Sequence, residues 1–383
     1  MTDSARLIAS VAVAVAFSMA YSGPSSPLPT SAAQTAAVSQ SDAARRDQIR
    51  ADLRRLDAEL QQHGGSWDAW ADRPELVAFR SDLQRWIDAE KPVFLTLFEA
   101  RDRFVYSETA MRLVNAGNFM ADTRYPSALE TLVALSSDLR NHGIDFIYMP
   151  VPTSVEVYPE YASDAVEPGE VLAPYQRRFL HALVERDVEV LDLLPGFLEI
   201  RRRSPEELLY QPRDLHWSNV AVRHAVTALA ERLRRYQFSP PGGAVQFETR
   251  ELAMLTEGEY VSRLSPEVQA TYPLVHFTVR QVFLPDGSPY VDASESPVLV
   301  TGDSFSYYYS GTVADHAGLT AQLASALGFP VSLVARAGLL PSGLRRDLDQ
   351  LIQPERRVVV FVQDARQQFP AEGWGLLSFR PSR

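Results

Sequence analysis

The chain has 383 residues, no cysteine and a formal net charge of −11 at pH 7. The lack of cysteine excludes disulfides, thiolate metal sites and cysteine nucleophiles. The acidic balance argues against a nucleic-acid surface, because neutralising phosphates needs clustered Lys and Arg side chains. A chain of this length can bury a large core, either as one α/β domain with insertions or as two domains.

Residues 1–20 have the pattern of a secretory signal. Arg6 precedes an apolar run, 7–20, that ends in small residues. The run is shorter than the roughly twenty residues needed to cross the hydrocarbon core of a membrane. We therefore expect a cleaved signal, with an uncleaved signal anchor in the membrane as the alternative.

The next residues differ in composition from the rest of the chain. Residues 21–41 are rich in Ser, Pro, Ala and Thr without periodicity, which predicts a disordered linker. Residues 42–94 are predicted to be an N-terminal helical segment, because apolar residues recur at helical spacing between 42 and 62. Residues 95–383 are then expected to form the main domain.

In the main domain, apolar segments alternate with amphipathic ones. The predicted strands are 144–149, 188–193, 298–301, 331–335 and 358–362. The predicted helices are 126–141, 172–186, 219–236, a stretch from 304 to 327, and 342–352. This alternation implies βαβ units and a mostly parallel sheet flanked by helices.

Residues 240–296 break the alternation and are predicted to be a small β-rich insertion at the edge of the sheet. The segments 277–284 and 290–292 flank the turn sequence Pro-Asp-Gly-Ser at 285–288. A turn signal between two strand-like segments predicts that these segments pair as a hairpin.

Two short motifs carry the residue types of a catalytic triad. Ser304 lies between the predicted strand 298–301 and the following helix, where ligands bind in open α/β sheets. His216 follows Asp214 by two residues, so an extended backbone would place both side chains on one side. A serine needs a base to become a nucleophile, and the imidazole needs a carboxylate to orient it. The motifs predict Ser304 as nucleophile, His216 as base and Asp214 as its orienting partner.

Simpler interpretations of the same residues stay open. Ser304 could only cap a helix, and His216 could be a structural histidine beside a helix start. Asp214, His216 and Asp303 could also be drawn together as metal ligands, although no His-x-x-x-His or related spacing supports a metal site.

Four motifs together carry a family resemblance. In chain order they are 148–152 with the nearby 157–160, then 214–218, 302–306 and 363–366. In this order they resemble the SGNH-hydrolase-like family of the alginate acetylation proteins AlgJ and AlgX, over about residues 95–370. The Asp-His motif precedes the Ser motif, which is the reverse of ordinary SGNH hydrolases and matches the circularly permuted order of the alginate group. The resemblance implies an SGNH-hydrolase-like α/β fold.

The resemblance also implies a function, periplasmic O-acetylation of an alginate-like exopolysaccharide. Ser304 would carry the acetyl group, His216 would act as base and then acid, and Asp214 would orient His216. No cofactor is implied. The expected partners are the exopolysaccharide acceptor, a membrane-embedded acetyl-donor protein and other polysaccharide-biosynthesis proteins. A secreted carbohydrate esterase and a non-catalytic polysaccharide-binding scaffold remain alternatives.

Further site residues follow by analogy with the family. Loops after two of the predicted strands would bring Gly338 and Arg366 near the site as oxyanion or substrate-binding groups. Trp217, Tyr308 and Tyr309 are adjacent to the motifs and are candidates for an aromatic platform under a sugar ring.

Overall fold

The computed structural model describes residues 31–89, 97–121, 128–238, 243–311, 313–346 and 348–368. The predicted signal, residues 1–20, lies outside the described residues. Within the described ranges, no helix combines the length and the apolar character needed to span a membrane.

The strands form a parallel sheet and two small antiparallel ones. They are β1 Leu97–Glu99, β2 Val105–Ser107, β3 Asp145–Val151, β4 Glu189–Val190, β5 Glu248–Thr256, β6 Val275–Phe283, β7 Val298–Gly302, β8 Ser332–Ala335 and β9 Val358–Asp364. The five-stranded sheet has the order β4-β3-β9-β7-β8, with every neighbouring pair parallel. The pairs β1-β2 and β5-β6 are antiparallel.

Helices cover both faces of the parallel sheet. They are α1 Ser31–Gln62, α2 Trp67–Ala71, α3 Pro74–Asp88, α4 Glu108–Asn115, α5 Ala128–Asn141, α6 Ser154–Val157, α7 Pro174–Glu185, α8 Leu194–Arg203, α9 Asn219–Leu233, α10 Pro266–Gln269, α11 Leu319–Leu327, α12 Pro341–Arg346 and α13 Leu348–Leu351. One apolar cluster packs α9 and α11 against the sheet, and a second packs α5 and α7 against the other face.

The burial of the sheet on both faces explains why its strands are apolar runs without alternation. All seven residues of β9 are buried, and β9 pairs with β3 on one side and β7 on the other. The predicted α/β architecture, a mostly parallel sheet flanked by helices with a small β-rich insertion, is confirmed.

The N-terminal helices belong to the same core as the sheet. Helix α1 begins at Ser31, inside the segment predicted as a linker. Alanine-rich sequence at 32–37 favours a helix over the disorder that its small and polar residues suggest. Leu76 and Phe79 of α3 are buried in one cluster with Met111 of α4. Residue 95 therefore does not mark a boundary between separately packed units.

The predicted hairpin inside the insertion forms only as a short bridge, and the main partner of its first strand is a different segment. Strand β6 pairs with β5, in register from Glu248 opposite Phe283 to Thr256 opposite Val275. The turn at 285–288 forms, with Leu284 N donating to Ser288 O at 2.8 Å and Tyr290 N donating to Val282 O at 3.1 Å. Among the described residues, this pairing extends no further than the bridge between Phe283 and Pro289. Strand β5 is exposed along most of its length and so lacks the apolar alternation that would identify it in the sequence.

Candidate active site

Ser304 lies at the carboxyl edge of the two central strands. Strand β7 ends at Gly302, where a Cβ atom would stand 2.0 Å from Val362 O of β9, so only glycine fits. Asp303 then fixes the turn, since its Oδ1 accepts from Phe305 N at 3.0 Å and its Oδ2 accepts from Asp364 N at 2.8 Å. These contacts hold Ser304 at the first position of a three-residue 3₁₀ turn.

His216 lies in the loop that leads into α9. Ser218 caps that helix by accepting from Ala221 N at 3.2 Å. The His216 backbone N–H donates to Asp214 Oδ1 at 2.9 Å, which closes the loop around the imidazole. The side-chain Nε2 of His216 lies 2.8 Å from Ser304 Oγ. The loop therefore holds the imidazole within proton-transfer distance of the serine hydroxyl.

The other imidazole nitrogen faces two carboxylates. His216 Nδ1 lies 3.0 Å from Glu259 Oε2 and 3.4 Å from Asp214 Oδ1. Asp214 Oδ2 also accepts from Tyr308 OH at 2.6 Å and from Glu259 N at 3.3 Å. The Tyr308 ring stacks on the imidazole with centroids 3.8 Å apart. The Nδ1 edge of the imidazole thus faces two carboxylates, and its face is covered by a phenol ring.

Burial and the carboxylates act in opposite directions on the imidazole. His216 is 5% exposed, which disfavours its cation, but the contacts with Asp214 and Glu259 outweigh burial and raise its pKa above the ordinary value. Burial would likewise raise the pKa of Asp214, yet the contacts with His216 and Tyr308 hold that pKa below its usual range. The site therefore favours a charged pair when a proton reaches His216.

A second group of charges lies behind the serine. Asp303 and Asp364 are both buried, and burial together with their mutual repulsion raises the pKa of Asp303. Arg366 pairs with Asp364 and keeps its charge. This arrangement couples the turn that carries Ser304 to the end of β9.

A family model described as "SGNH hydrolase-like domain, acetyltransferase AlgX" matches residues 99–356, more than half of the chain. The chain belongs to this family.

Three solved structures are similar to this chain to different extents. The O-acetyltransferase domain of Pseudomonas putida AlgJ is 20% identical, with 74% of this chain and 95% of that chain covered and a TM-score of 0.55. Pseudomonas aeruginosa AlgX is 18% identical, with 77% and 67% covered and a TM-score of 0.49. Bacillus cereus PatB1 is 12% identical, with 72% and 97% covered and a TM-score of 0.43. At such identities the AlgJ structure supports the fold alone. No curated protein matches the sequence.

In this AlgX-type chain, the two loop residues proposed by analogy lie in different settings. Arg366 is directed toward β2 and α4, with Nη1 at 3.4 Å from both Ser107 Oγ and Thr109 Oγ1. Gly338 lies in an exposed turn after β8. Within the described ranges, neither residue forms a hydrogen bond with Ser304, so their oxyanion or substrate-binding roles stay predictions.

The three aromatic candidates are buried. Trp217 and Tyr309 are each 1% exposed, and the Tyr309 hydroxyl donates to Trp217 O at 3.1 Å. Tyr308 is 6% exposed beneath the imidazole. In these positions the rings support the histidine loop, and a sugar could reach them only after the site opens; their role in sugar binding stays a prediction.

The metal alternative involves different residues from those that the sequence suggested. Among the described residues, Asp214, His216 and Glu259 have potential ligand atoms within 4.8 Å of one another, and Asp303 is not in this group. When Nε2 accepts a hydrogen bond from the Ser304 hydroxyl, the neutral imidazole carries its one proton on Nδ1. A proton on Nδ1 leaves that atom no lone pair for a metal ion.

Glu259 is the site residue that the sequence analysis missed. It lies 43 positions beyond His216 and follows β5 in the insertion. Its one local signal is Gly258, because a glycine after a strand can mark a close backbone approach. That signal does not say which part of the chain is approached.

Proposed function

We propose that this chain is a periplasmic O-acetyltransferase that acetylates hydroxyls of an alginate-like exopolysaccharide through Ser304, His216 and Asp214. The observation that carries the proposal is the 2.8 Å contact between His216 Nε2 and Ser304 Oγ, at the carboxyl edge of the central strands. Family membership supports acetyl transfer as the reaction. The signal pattern of residues 1–20 supports export.

The proposed reaction has two half-reactions. In the first, Ser304 Oγ attacks the carbonyl carbon of the donor acetyl group while its proton passes to His216 Nε2. The bond between that carbon and the donor oxygen breaks, and the leaving oxygen takes the proton from His216. In the second, a sugar hydroxyl attacks the acetyl-Ser304 carbonyl and gives its proton to His216. The ester bond to Ser304 breaks, and Oγ takes that proton back.

The partners follow from this chemistry. The acceptor supplies a hydroxyl, and an exopolysaccharide presents many of them. The donor must supply an activated acetyl group on the same side of the membrane, and we propose a membrane-embedded protein of the polysaccharide-biosynthesis machinery for this role. The reaction as proposed uses no cofactor.

The test follows acetyl groups from p-nitrophenyl acetate, an activated ester, to acetyl-free oligomannuronate. The wild-type chain should release p-nitrophenol and produce acetylated sugar detectable by mass spectrometry. Ser304→Ala should lower transfer by about 10³-fold or more, because the acetyl-serine intermediate can no longer form. Ser288→Ala is the matched control, because that hydroxyl donates to Asp286 instead of contacting a histidine.

Two outcomes would contradict the proposal in different ways. If the wild type hydrolyses the ester at a rate that sugar does not change, and no acetylated sugar forms, the chain acts as an esterase. If neither hydrolysis nor transfer exceeds that of Ser304→Ala, the chain is a binding or scaffold protein.

A further inference from the structure

We propose that Glu259 is a positioning residue that shares the Nδ1 proton of His216 with Asp214. This inference rests on the proposed function, because it concerns the base of the same reaction. It extends the catalytic group predicted from the sequence by one carboxylate, which comes from the β-rich insertion.

The distances favour Glu259 as the nearer partner of the imidazole. Glu259 Oε2 lies 3.0 Å from Nδ1, against 3.4 Å for Asp214 Oδ1. Asp214 is also occupied elsewhere, because its two oxygens accept the His216 and Glu259 backbone N–H groups and the Tyr308 hydroxyl. Neither Nδ1 nor Glu259 Oε2 has an aligned hydrogen bond, although both atoms are buried. A small rotation of the imidazole or of the Glu259 carboxylate would align these two atoms in a hydrogen bond.

The loop that carries Glu259 is built against the histidine loop. At Gly258 φ is +94°, and a Cβ there would stand 2.5 Å from Arg213 O. Arg213 Nε donates to Glu257 O at 3.0 Å, and Tyr260 N donates to Arg213 O at 3.1 Å. These contacts hold residues 257–260 directly beside Asp214. These backbone contacts lie on both sides of Glu259 in the sequence, and they therefore fix its position.

Several charged or titratable groups surround the imidazole. Asp214 and Glu259 face Nδ1, Ser304 faces Nε2, and Tyr308 covers one face. Asp364 acts on His216 from the end of β9, where Arg366 pairs with it. On the outer side, Arg263 pairs with Glu259 Oε1. Two carboxylates thus act on Nδ1 directly, and a cation restrains one of them.

This arrangement has a catalytic consequence. When Ser304 gives its proton to Nε2, the imidazole becomes a cation with a proton on each nitrogen. A second carboxylate on the Nδ1 side stabilises that cation and fixes the ring orientation. We expect loss of the Glu259 charge to weaken His216 as a base.

The test measures the charge state of His216 and the acetylation rate separately in the full chain. The pKa of His216 is obtained from ¹⁵N-histidine NMR titration, with the signal assigned by its loss in His216→Gln. The acetylation rate is the burst of p-nitrophenol from p-nitrophenyl acetate across pH. Glu259→Gln should lower the pKa of His216 by about 1, because an opposite charge is lost at contact distance. At pH values above the pKa of both proteins, where the imidazole is neutral in each, the variant should slow acetylation about tenfold, because its imidazole is the weaker base.

Two further variants make the test specific. Glu257→Gln removes a charge from the same loop. The hydrogen bond from Arg213 to residue 257 uses the main-chain carbonyl, which the substitution keeps. The pKa of His216 and the acetylation rate should therefore both stay unchanged. Arg263→Ala alters a side chain that is 69% exposed and should raise the pKa of His216 by about 0.3, because the Glu259 carboxylate loses a competing cation. This variant keeps the inference testable if Glu259→Gln does not fold.

The inference fails if Glu259→Gln folds and changes neither the pKa nor the rate, or if Arg263→Ala lowers the pKa. A loss of rate without a change in pKa would mean that Glu259 only supports the loop. The proposed function has a separate test. It fails if Ser304→Ala still transfers acetyl groups, and that result does not depend on the Glu259 variants.

Discussion

At the scale of single residues, the protonation of His216 decides when Ser304 can act. Only the neutral imidazole can take the serine proton, and its Nε2 atom lies 2.8 Å from the hydroxyl. Asp214 and Glu259 favour the cation more strongly than burial disfavours it. The two effects together set the pH range in which the site is active.

The raised pKa of His216 gives a pH prediction. Acetylation should be lost as pH falls through a pKa above the ordinary imidazole value of about 6.5. The same shift affects the free energy of unfolding. Because the pKa is higher in the folded state, protonation of His216 stabilises the fold fully below about pH 6.5, and this stabilisation is lost as pH rises through the folded-state pKa. Burst rates with p-nitrophenyl acetate between about pH 5 and about pH 9 test the first part. An acidic limb centred below about pH 6.5 would be inconsistent with the two carboxylate contacts.

A second prediction concerns Gly302. Gly302→Ala should destabilise the fold by about 2 kcal/mol or more and slow acetylation, because the new Cβ would clash with Val362 O and push the serine turn away from β9. Gly117→Ala is the control, since a Cβ there meets nothing within 4 Å. Urea denaturation measures both variants. Equal effects at the two positions would show that the close approach of β7 to β9 is not what requires glycine.

At the scale of elements, buried ion pairs join helix α1 to helix α7 and to the segment that follows strand β4. Arg177 of α7 is fully buried, and its Nη2 lies 2.8 Å from Glu59 of α1 and 2.7 Å from Asp192 after β4. Burial would raise the pKa of Asp192, but Arg177 and Arg55 hold it below its usual range. Removing the central cation would deprive Glu59 and Asp192 of their buried partner and leave them the more exposed Arg55.

Arg177→Met should therefore destabilise the protein by about 3 kcal/mol or more, because breaking a buried ion pair costs far more than the pair contributes. The control is Arg178→Met, at the next and partly exposed position, with an expected loss within about 0.5 kcal/mol. Both are measured as free energies of unfolding in urea. Similar losses for the two variants would refute the structural role of the ion pairs.

The elements differ in how far the sequence predicts them. The segment 358–362 was predicted because a strand buried on both faces is a continuous apolar run, and it forms the centre of the sheet. Strand β5 was missed because its exposed residues follow no apolar pattern. The Ser304 and His216 motifs are recognisable because each has local sequence context. Glu259 is not, because its contact with His216 depends on how the insertion packs.

At the scale of the whole molecule, the N-terminal helices and the sheet share one core. Trp70, Leu76, Phe79 and Leu83 are fully buried in the cluster that also contains β3 and β9 side chains. Burial of such side chains contributes about 1.5–3 kcal/mol each. Their sum approaches the typical net stability of a domain, which is about 5–15 kcal/mol.

This packing predicts that a chain beginning at residue 95 does not fold, although the family match begins at residue 99. A chain beginning at residue 43 keeps α2, α3 and most of α1, and should fold. Circular dichroism and thermal unfolding distinguish the two. A cooperative unfolding transition for the chain that begins at residue 95 would contradict the shared core.

The central claim is that Ser304 carries the acetyl group. The most direct measurement is the intact mass of the protein after rapid acid quenching with p-nitrophenyl acetate, followed by peptide mapping. We predict one added acetyl group, on Ser304, in the wild type, and neither Ser304→Ala nor His216→Ala should carry it at that peptide. An acetyl group that forms equally fast in His216→Ala, or that maps to another residue in the wild type, would contradict the account.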